Sequence, residues 1–348
     1  MRHHSRIGVK DAWTESRSPV AVRCEPGDYR RIGRRELLRL WGPAVLAGAA
    51  VAGAAGALHG RSGRHQRRAG DAALEPPSWR VDGAMPPRLA VAGGGGPADN
   101  LRRALAAVGG IERFVGRGHR VAIKPNCAWD RSPEQAADTN PEVVGELARL
   151  CLAAGAASVV VVDNTCHDPA RSFARSGIAA AARAAGAAVA HQGNTGTGLL
   201  DLGGLTLGRW QVLKPILEAD RLINVPIVKH HSLSGATLGM KNWFGAVVGS
   251  RSSLHQQIGR VCAELGAAFN PTLTVMDATR VLAGGGPTGG SLSLVKPMDL
   301  VAVSTDPVAA DAWGASLLDL APGRLAHLAI AEQLGLGTTA WQGLVVEV

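Results

Sequence analysis

A chain of 348 residues with 46% apolar composition is long enough for one large domain or two small ones and can bury a sizeable core. Its formal net charge of +9 lies entirely in the first 70 residues, which carry 14 Arg/Lys and 5 Asp/Glu and leave 23 of each for the rest. An electrically neutral body, in a chain with one tyrosine and four phenylalanines, has neither the phosphate-tracking charge nor the stacking surface of a nucleic-acid binder.

The basic leader has three parts: an Arg-rich polar stretch, an apolar run from Leu40 to Leu58, and a second polar stretch. This is the layout of an export signal. Arg34 and Arg35, followed by Glu36, Leu37, Leu38 and Arg39, resemble a twin-arginine motif, and Ala55, Gly56 and Ala57 form a small-residue cleavage site. The expected organisation is a signal region over 1–57, a flexible linker over 58–88 and one domain over 89–348, exported with the twin-arginine machinery as partner. The alternative is an uncleaved membrane anchor over 40–58, although Ala and Gly insert poorly and Pro43 interrupts the run.

From Leu89 onward, short apolar runs alternate with Ala-rich helical segments. Strands are predicted over 89–92, 120–124, 158–163, 221–225, 272–277 and 300–305, and helices over 97–108, 141–154, 170–186, 255–268 and 307–318. The pattern predicts an α/β fold: a mostly parallel sheet covered by helices on both faces, with the ligand crevice at the carboxyl ends of the strands. Asn140–Pro141 and Asp306–Pro307 read as an N-cap followed by a first-turn proline.

Polar residues follow these strands. Lys124 and Asn126 follow RVAI, Asp163 ends VVVV, Asn224 leads to Lys229, Asp277 ends TLTVM, and Asp306 follows LVAVST. In a parallel sheet such residues converge on one edge. The richest stretch spans fourteen residues and holds Lys229, His230, His231, Lys241 and Asn242. The chain has only six lysines among 37 basic residues, so a lysine here reads as chosen for its compact, titratable ammonium. Adjacent histidines on a strand face opposite sides, and the residues alone favour His230. The glycines of 284–290, Gly285 and Gly286 among them, are candidates for an anion-binding nest. No P-loop, nucleophile-elbow or dinucleotide fingerprint is present, and five cysteines without a CxxC pair provide no iron–sulfur motif.

VAIKPN (121–126), TNPEVV (139–144), INVPIVKHH (223–231), TLGMKNWFG (237–245), His255, TVMD (274–277), GGGPTGG (284–290) and STDPVAADA (304–312) together resemble the family called domain of unknown function three-six-two. Many relatives carry a ferredoxin segment and are described as redox proteins. This chain has no such segment, which argues against a cluster-borne electron-transfer role. The resemblance also shifts the family histidine to His231.

The expected function is an exported enzyme acting on a small anionic substrate, a carboxylate or phosphate. Lys124, Lys229, His231, Lys241 and Asp277 are the catalytic candidates, and Asn126, Asn242, Gly285 and Gly286 the ligand-binding ones. Asp163 and Asp277 are candidates for a divalent metal. A ligand-binding or cofactor-assembly protein using the same crevice without turnover is the alternative, and a redox protein the third reading.

Overall fold

The computed structural model describes residues 73–81 and 89–348. The expected signal region, the alternative anchor over 40–58 and most of the linker lie outside the described residues. Among the described residues no helix is long and apolar enough to cross a membrane.

The first half of the domain runs β1 (Leu89–Gly93), α1 (Pro97–Ala107), β2 (Arg120–Pro125), α2 (Pro141–Ala153), β3 (Ser158–Asp163), α3 (Pro169–Arg175), α4 (Ile178–Ala184) and β4 (Ala188–His191). It continues through β5 (Thr197–Asp201), β6 (Arg209–Leu213), α5 (Lys214–Leu217), β7 (Arg221–Val225), β8 (Ile227–His231), β9 (Gly235–Thr237), α6 (Gly239–Asn242) and β10 (Val247–Val248). It ends with α7 (Ile258–Phe269), β11 (Leu273–Leu282), β12 (Val295–Ser304), α8 (Pro307–Ser316), α9 (Ala326–Gln333) and β13 (Val345–Glu347).

The main sheet has the order β13-β1-β12-β11-β7-β2-β3-β4, with β8 and β9 branching from β11; β10, β6 and β5 form a small antiparallel sheet. All neighbours from β11 through β7, β2 and β3 to β4 pair in parallel. Two cores confirm that helices cover both faces. On β2, Val121 and Ile123 pack with Leu101 of α1, Leu147 of α2 and Ile178 of α4, while the intervening Ala122 belongs with Val261 and Leu265 of α7, Val308 of α8 and Leu328 of α9. That is the alternation of a strand buried on both sides.

Local signals account for the helix starts. The Asn140 side chain accepts the Glu142 N–H (3.0 Å) ahead of Pro141, and Asp306 Oδ1 accepts from Val308 and Ala309 (2.9 and 2.8 Å). The helix expected over 170–186 is instead two, because Gly177 takes a left-handed φ of +75° between them.

Three expectations are corrected. First, part of the linker is anchored. Leu74 bridges Leu200, while Trp79 is buried, stacks on Phe269 at 6.1 Å and donates Nε1–H to the Ala219 carbonyl (3.0 Å). One aromatic with an apolar partner far along the chain was hidden by a polar average composition. Second, β12 runs antiparallel to both β1 and β11. Asp306 therefore lies at the opposite sheet edge from Asp163. Third, β11 continues to Leu282, so Asp277 sits inside the strand and the glycine run lies in the β11–β12 connection.

Candidate functional site

The carboxyl ends of β2 and β3, together with β8, α6 and the segment 249–255, enclose a cavity of about 560 Å³. Lys124, Asn126, Asp163, Lys229, His231, Lys241 and Asn242 all line it, brought together from positions far apart in the chain.

Lys124 and Asp163 form its floor. Lys124 Nζ lies 2.7 Å from Asp163 Oδ1 and donates to the Pro125 carbonyl (2.7 Å), and both side chains are buried. The other carboxylate oxygen, Oδ2, accepts the Cys127 N–H (2.7 Å). Burial pushes the Lys124 ammonium below the usual lysine range, although Asp163 pulls the other way.

Asn242 joins the strand ends to α6. Its Nδ2 donates to the Lys124 carbonyl (3.1 Å) and Asn224 Oδ1 (2.9 Å), and its Oδ1 accepts from Asn126 Nδ2 (3.0 Å) and Lys124 Nζ (3.3 Å). Asn126 in turn accepts Lys229 Nζ (3.0 Å), which also donates to the Ala137 carbonyl. Asp311 of α8 holds the first turn of α6 from below by accepting the N–H groups of Gly239 (2.6 Å) and Met240 (3.1 Å). This fixes the short helix that carries Lys241 and Asn242.

Lys241 differs from the other two lysines. It is 8% exposed, its Nζ sits 3.5 Å over the Phe244 ring centroid, and among the described residues it has neither a hydrogen-bond acceptor nor a carboxylate partner. Burial brings its pKa down to about 8. Arg251, on the same wall, donates Nη1 to the carbonyls of Asn164 (2.8 Å) and Phe244 (3.1 Å) and Nη2 to that of Thr165 (2.8 Å). No carboxylate neutralises it among the described residues. Beneath the cavity, burial raises the Asp138 carboxyl and lowers the Lys229 ammonium, each partly opposed by the other's charge. At the wall, Trp129 Nε1 and the Thr237 hydroxyl are buried without a protein partner.

Strand alternation decides between the histidines. His231 shares the cavity face of β8 with Lys229, whereas His230 points away and its Nδ1 accepts the Gly286 N–H (3.2 Å). The preference for His230 is thus corrected. His231 Nδ1 accepts the N–H groups of Leu233 (3.1 Å) and Ser234 (3.3 Å), which assigns its proton to Nε2. Burial, then Lys241 and Lys229, bring its pKa down to about 3, so the ring is neutral. His255 stacks near it at 6.4 Å and has the opposite tautomer, because its Nδ1 lies 3.2 Å from the Arg251 carbonyl and must donate. One ring keeps an Nε2–H donor and the other an Nε2 lone pair.

Asp277, Gly285 and Gly286 are not brought to the cavity. Asp277 Oδ2 accepts the Asn140 N–H (2.7 Å), and Oδ1 accepts the Thr279 N–H and hydroxyl (2.9 and 2.7 Å), so this carboxylate organises the start of α2. Of the glycine-rich loop only Pro287 reaches the cavity. The expected metal pair Asp163 and Asp277 is therefore not assembled, and among the described residues no group of three or more His, Cys, Asp or Glu is placed to hold a metal ion. Sequence reasoning did not select Arg251, Asp138 or Asp311. Arg251 had a usable signal: it lies four residues before His255 and soon after the Lys241–Asn242 stretch.

A family model described as Domain of unknown function (DUF362) matches residues 121–316. A thylakoid-associated protein of Synechocystis sp. is 30% identical over 252 residues, covering 69% of this chain and 76% of that protein. The lactate racemase apoprotein from Thermoanaerobacterium thermosaccharolyticum is similar in structure at a TM-score of 0.38 and 13% identity, over 70% of this chain and 58% of that one. The chain thus spans little more than half of that structure's length. With the family model covering most of the sheet and every lysine of the cavity, the chain belongs to the DUF362 family.

Proposed function

We propose that the chain is an enzyme whose cavity binds and acts on a small anion bearing a carboxylate or phosphate. The observation that carries this reading is the pair of cavity-wall cations, Lys241 and Arg251, with no carboxylate partner among the described residues. Lys241 is the buried member of the pair and Arg251 is half-buried, so it is the Lys241 charge whose desolvation, on the order of several kcal/mol when unpaired, a ligand anion offsets. Arg251 is held rigid by three carbonyls and supplies a fixed charge, while Lys241 supplies a titratable one. The His231 Nε2–H donates to a ligand oxygen, and the His255 Nε2 lone pair takes a proton.

Calorimetric titration with phosphate and small carboxylates tests this reading. Lys241→Met is expected to weaken the anion about tenfold or more, the equivalent of one charged hydrogen bond. The ammonium is the binding form, so affinity is full below about pH 8 and falls as pH rises through that value. Burial is the largest cause of that value; of the neighbouring groups, Cys262 and Cys166 raise it, and Arg251 and Lys124 lower it. Unchanged affinity in Lys241→Met, or no anion binding at all, overturns the proposal. Binding without conversion across a panel of anions would place the chain among ligand-carrying accessory proteins.

We also propose export by the twin-arginine route, on the strength of Arg34, Arg35 and the apolar run to Leu58. Arg34→Lys with Arg35→Lys is expected to retain the precursor in the cytoplasm on cell fractionation. Undiminished export of that double variant refutes it.

A further inference from the structure

Three lysines line the cavity, and two have their nitrogen committed. Lys124 Nζ is held by Asp163 and the Pro125 carbonyl, and Lys229 Nζ by Asn126 Oδ1 and the Ala137 carbonyl. A nitrogen held in this way cannot turn its lone pair toward a ligand without breaking buried bonds. Among the described residues, Lys241 Nζ has no hydrogen-bond acceptor and lies over the face of Phe244. It is also the one lysine of the three carried by a helical turn that is itself braced, through the Asp311 contacts to Gly239 and Met240.

We propose that Lys241 is a nucleophile that forms an imine with the carbonyl carbon of a small oxo acid whose carboxylate is held at Arg251. This rests on the anion-binding reading and adds the substrate class. The neighbourhood suits the step. Burial and the fixed charge of Arg251 make the Lys241 ammonium give up its proton more readily than one in water, and they outweigh the attraction of the Phe244 ring face, which favours the charged form. His255 packs edge-on against the same Phe244 ring at 5.2 Å, and its Nε2 lone pair receives the proton. His231, with its proton on Nε2, supplies the donor for the carbonyl oxygen.

The bonds balance without any oxidant or reductant. The neutral amine attacks the carbonyl carbon, forming a C–N bond as the C=O π pair moves to oxygen, which takes a proton to give a carbinolamine. Nitrogen gives its extra proton to the His255 Nε2, which returns it to the oxygen. The C–O bond then breaks as the nitrogen lone pair forms C=N. The remaining N–H proton, passed by the same base, leaves with the oxygen as water, so that two protons have moved from nitrogen to oxygen. One amine and one ketone or aldehyde thus become one imine and one water.

Borohydride trapping tests the proposal. The purified full chain is incubated with pyruvate or glyoxylate, reduced with sodium borohydride, and read by intact mass and peptide mapping. One substrate-derived group per chain is expected, located on Lys241 and suppressed by excess phosphate. Lys241→Arg, which keeps the charge but not the nucleophile, is expected to lose it. Mapping of the unmodified chain decides the question even if that variant folds poorly. Labelling shared with exposed Lys214 and Lys296, or no labelling, overturns the imine. Acetate and phosphate, which lack a reactive carbonyl, separate the two ideas. If they and pyruvate raise the melting temperature while nothing is trapped, the imine fails and anion binding stands; if none of them binds, anion binding itself fails.

Discussion

Replacing Lys124 by methionine is expected to lower folding stability by about 3–5 kcal/mol, the usual cost of removing one partner from a buried ion pair. Both side chains are essentially inaccessible, at 0% and 2% exposure, so the Asp163 charge cannot be taken up by water. It would keep the Cys127 N–H on Oδ2 but lose the cation on Oδ1. Asn242 Oδ1 would lose its contact with Lys124 and keep Asn126. The pair is not there for stability alone, since burial outweighs Asp163 and lowers the Lys124 pKa. Lys124→Met combined with Asp163→Leu is therefore expected to recover much of the loss, because no buried charge is then left unpaired. Urea unfolding of the two single variants and the double completes the cycle. A single variant within about 1 kcal/mol of the parent, the range of an exposed pair, would show that the pair is not isolated from solvent.

The second large effect is expected from Gly245→Ala. A Cβ at this position would collide with Asp163 Oδ1 and lie 2.7 Å from Lys124 Nζ and 3.0 Å from Lys124 Cε. Neither side chain is free to step aside, because each is held by the other and by backbone partners. The Asn164 N–H also donates to the Gly245 carbonyl (2.8 Å), which pins the backbone from the other side. Either the ion pair opens or the segment after Asn242 moves, and both displace the wall that carries Lys241. Overpacking alone costs about 1–3 kcal/mol, and the loss of anion affinity is expected to be greater than that of any exposed loop glycine. Thermal melting with anion titration measures both. A Gly245→Ala chain as stable and as tight-binding as the parent would refute the close approach.

Much of the site was legible because strand ends in a parallel sheet share an edge. Lys124, Asn126, Asp163, Lys229, Lys241 and Asn242 follow apolar runs or a dense polar stretch, and all of them line the cavity. Asp277 and Asp306 carry the same local signature and do not. The strand with Asp277 runs five residues further, and the strand before Asp306 returns antiparallel. Nothing in five or six apolar residues encodes the direction in which a strand will pair. The two histidines show the same boundary. Alternation requires that only one of His230 and His231 face the cavity, but which one depends on the register of β8 against β9 and β11.

By itself the sequence determined the features that depend on near neighbours: the α/β alternation, the N-caps at Asn140 and Asp306, the choice of lysine over arginine at the polar stretch, and the family motifs. These follow from side-chain period, capping and composition, which act within a few residues. Only the tertiary structure decided that Lys241 and Arg251 share a wall without a carboxylate among the described residues, that Asp311 braces α6, and that Trp79 anchors part of the linker. Each of these rests on a hydrogen bond, a charge or a packing contact whose environment is built from distant or non-adjacent parts of the chain. Burial and pairing of that kind do not exist until the sheet has closed around them.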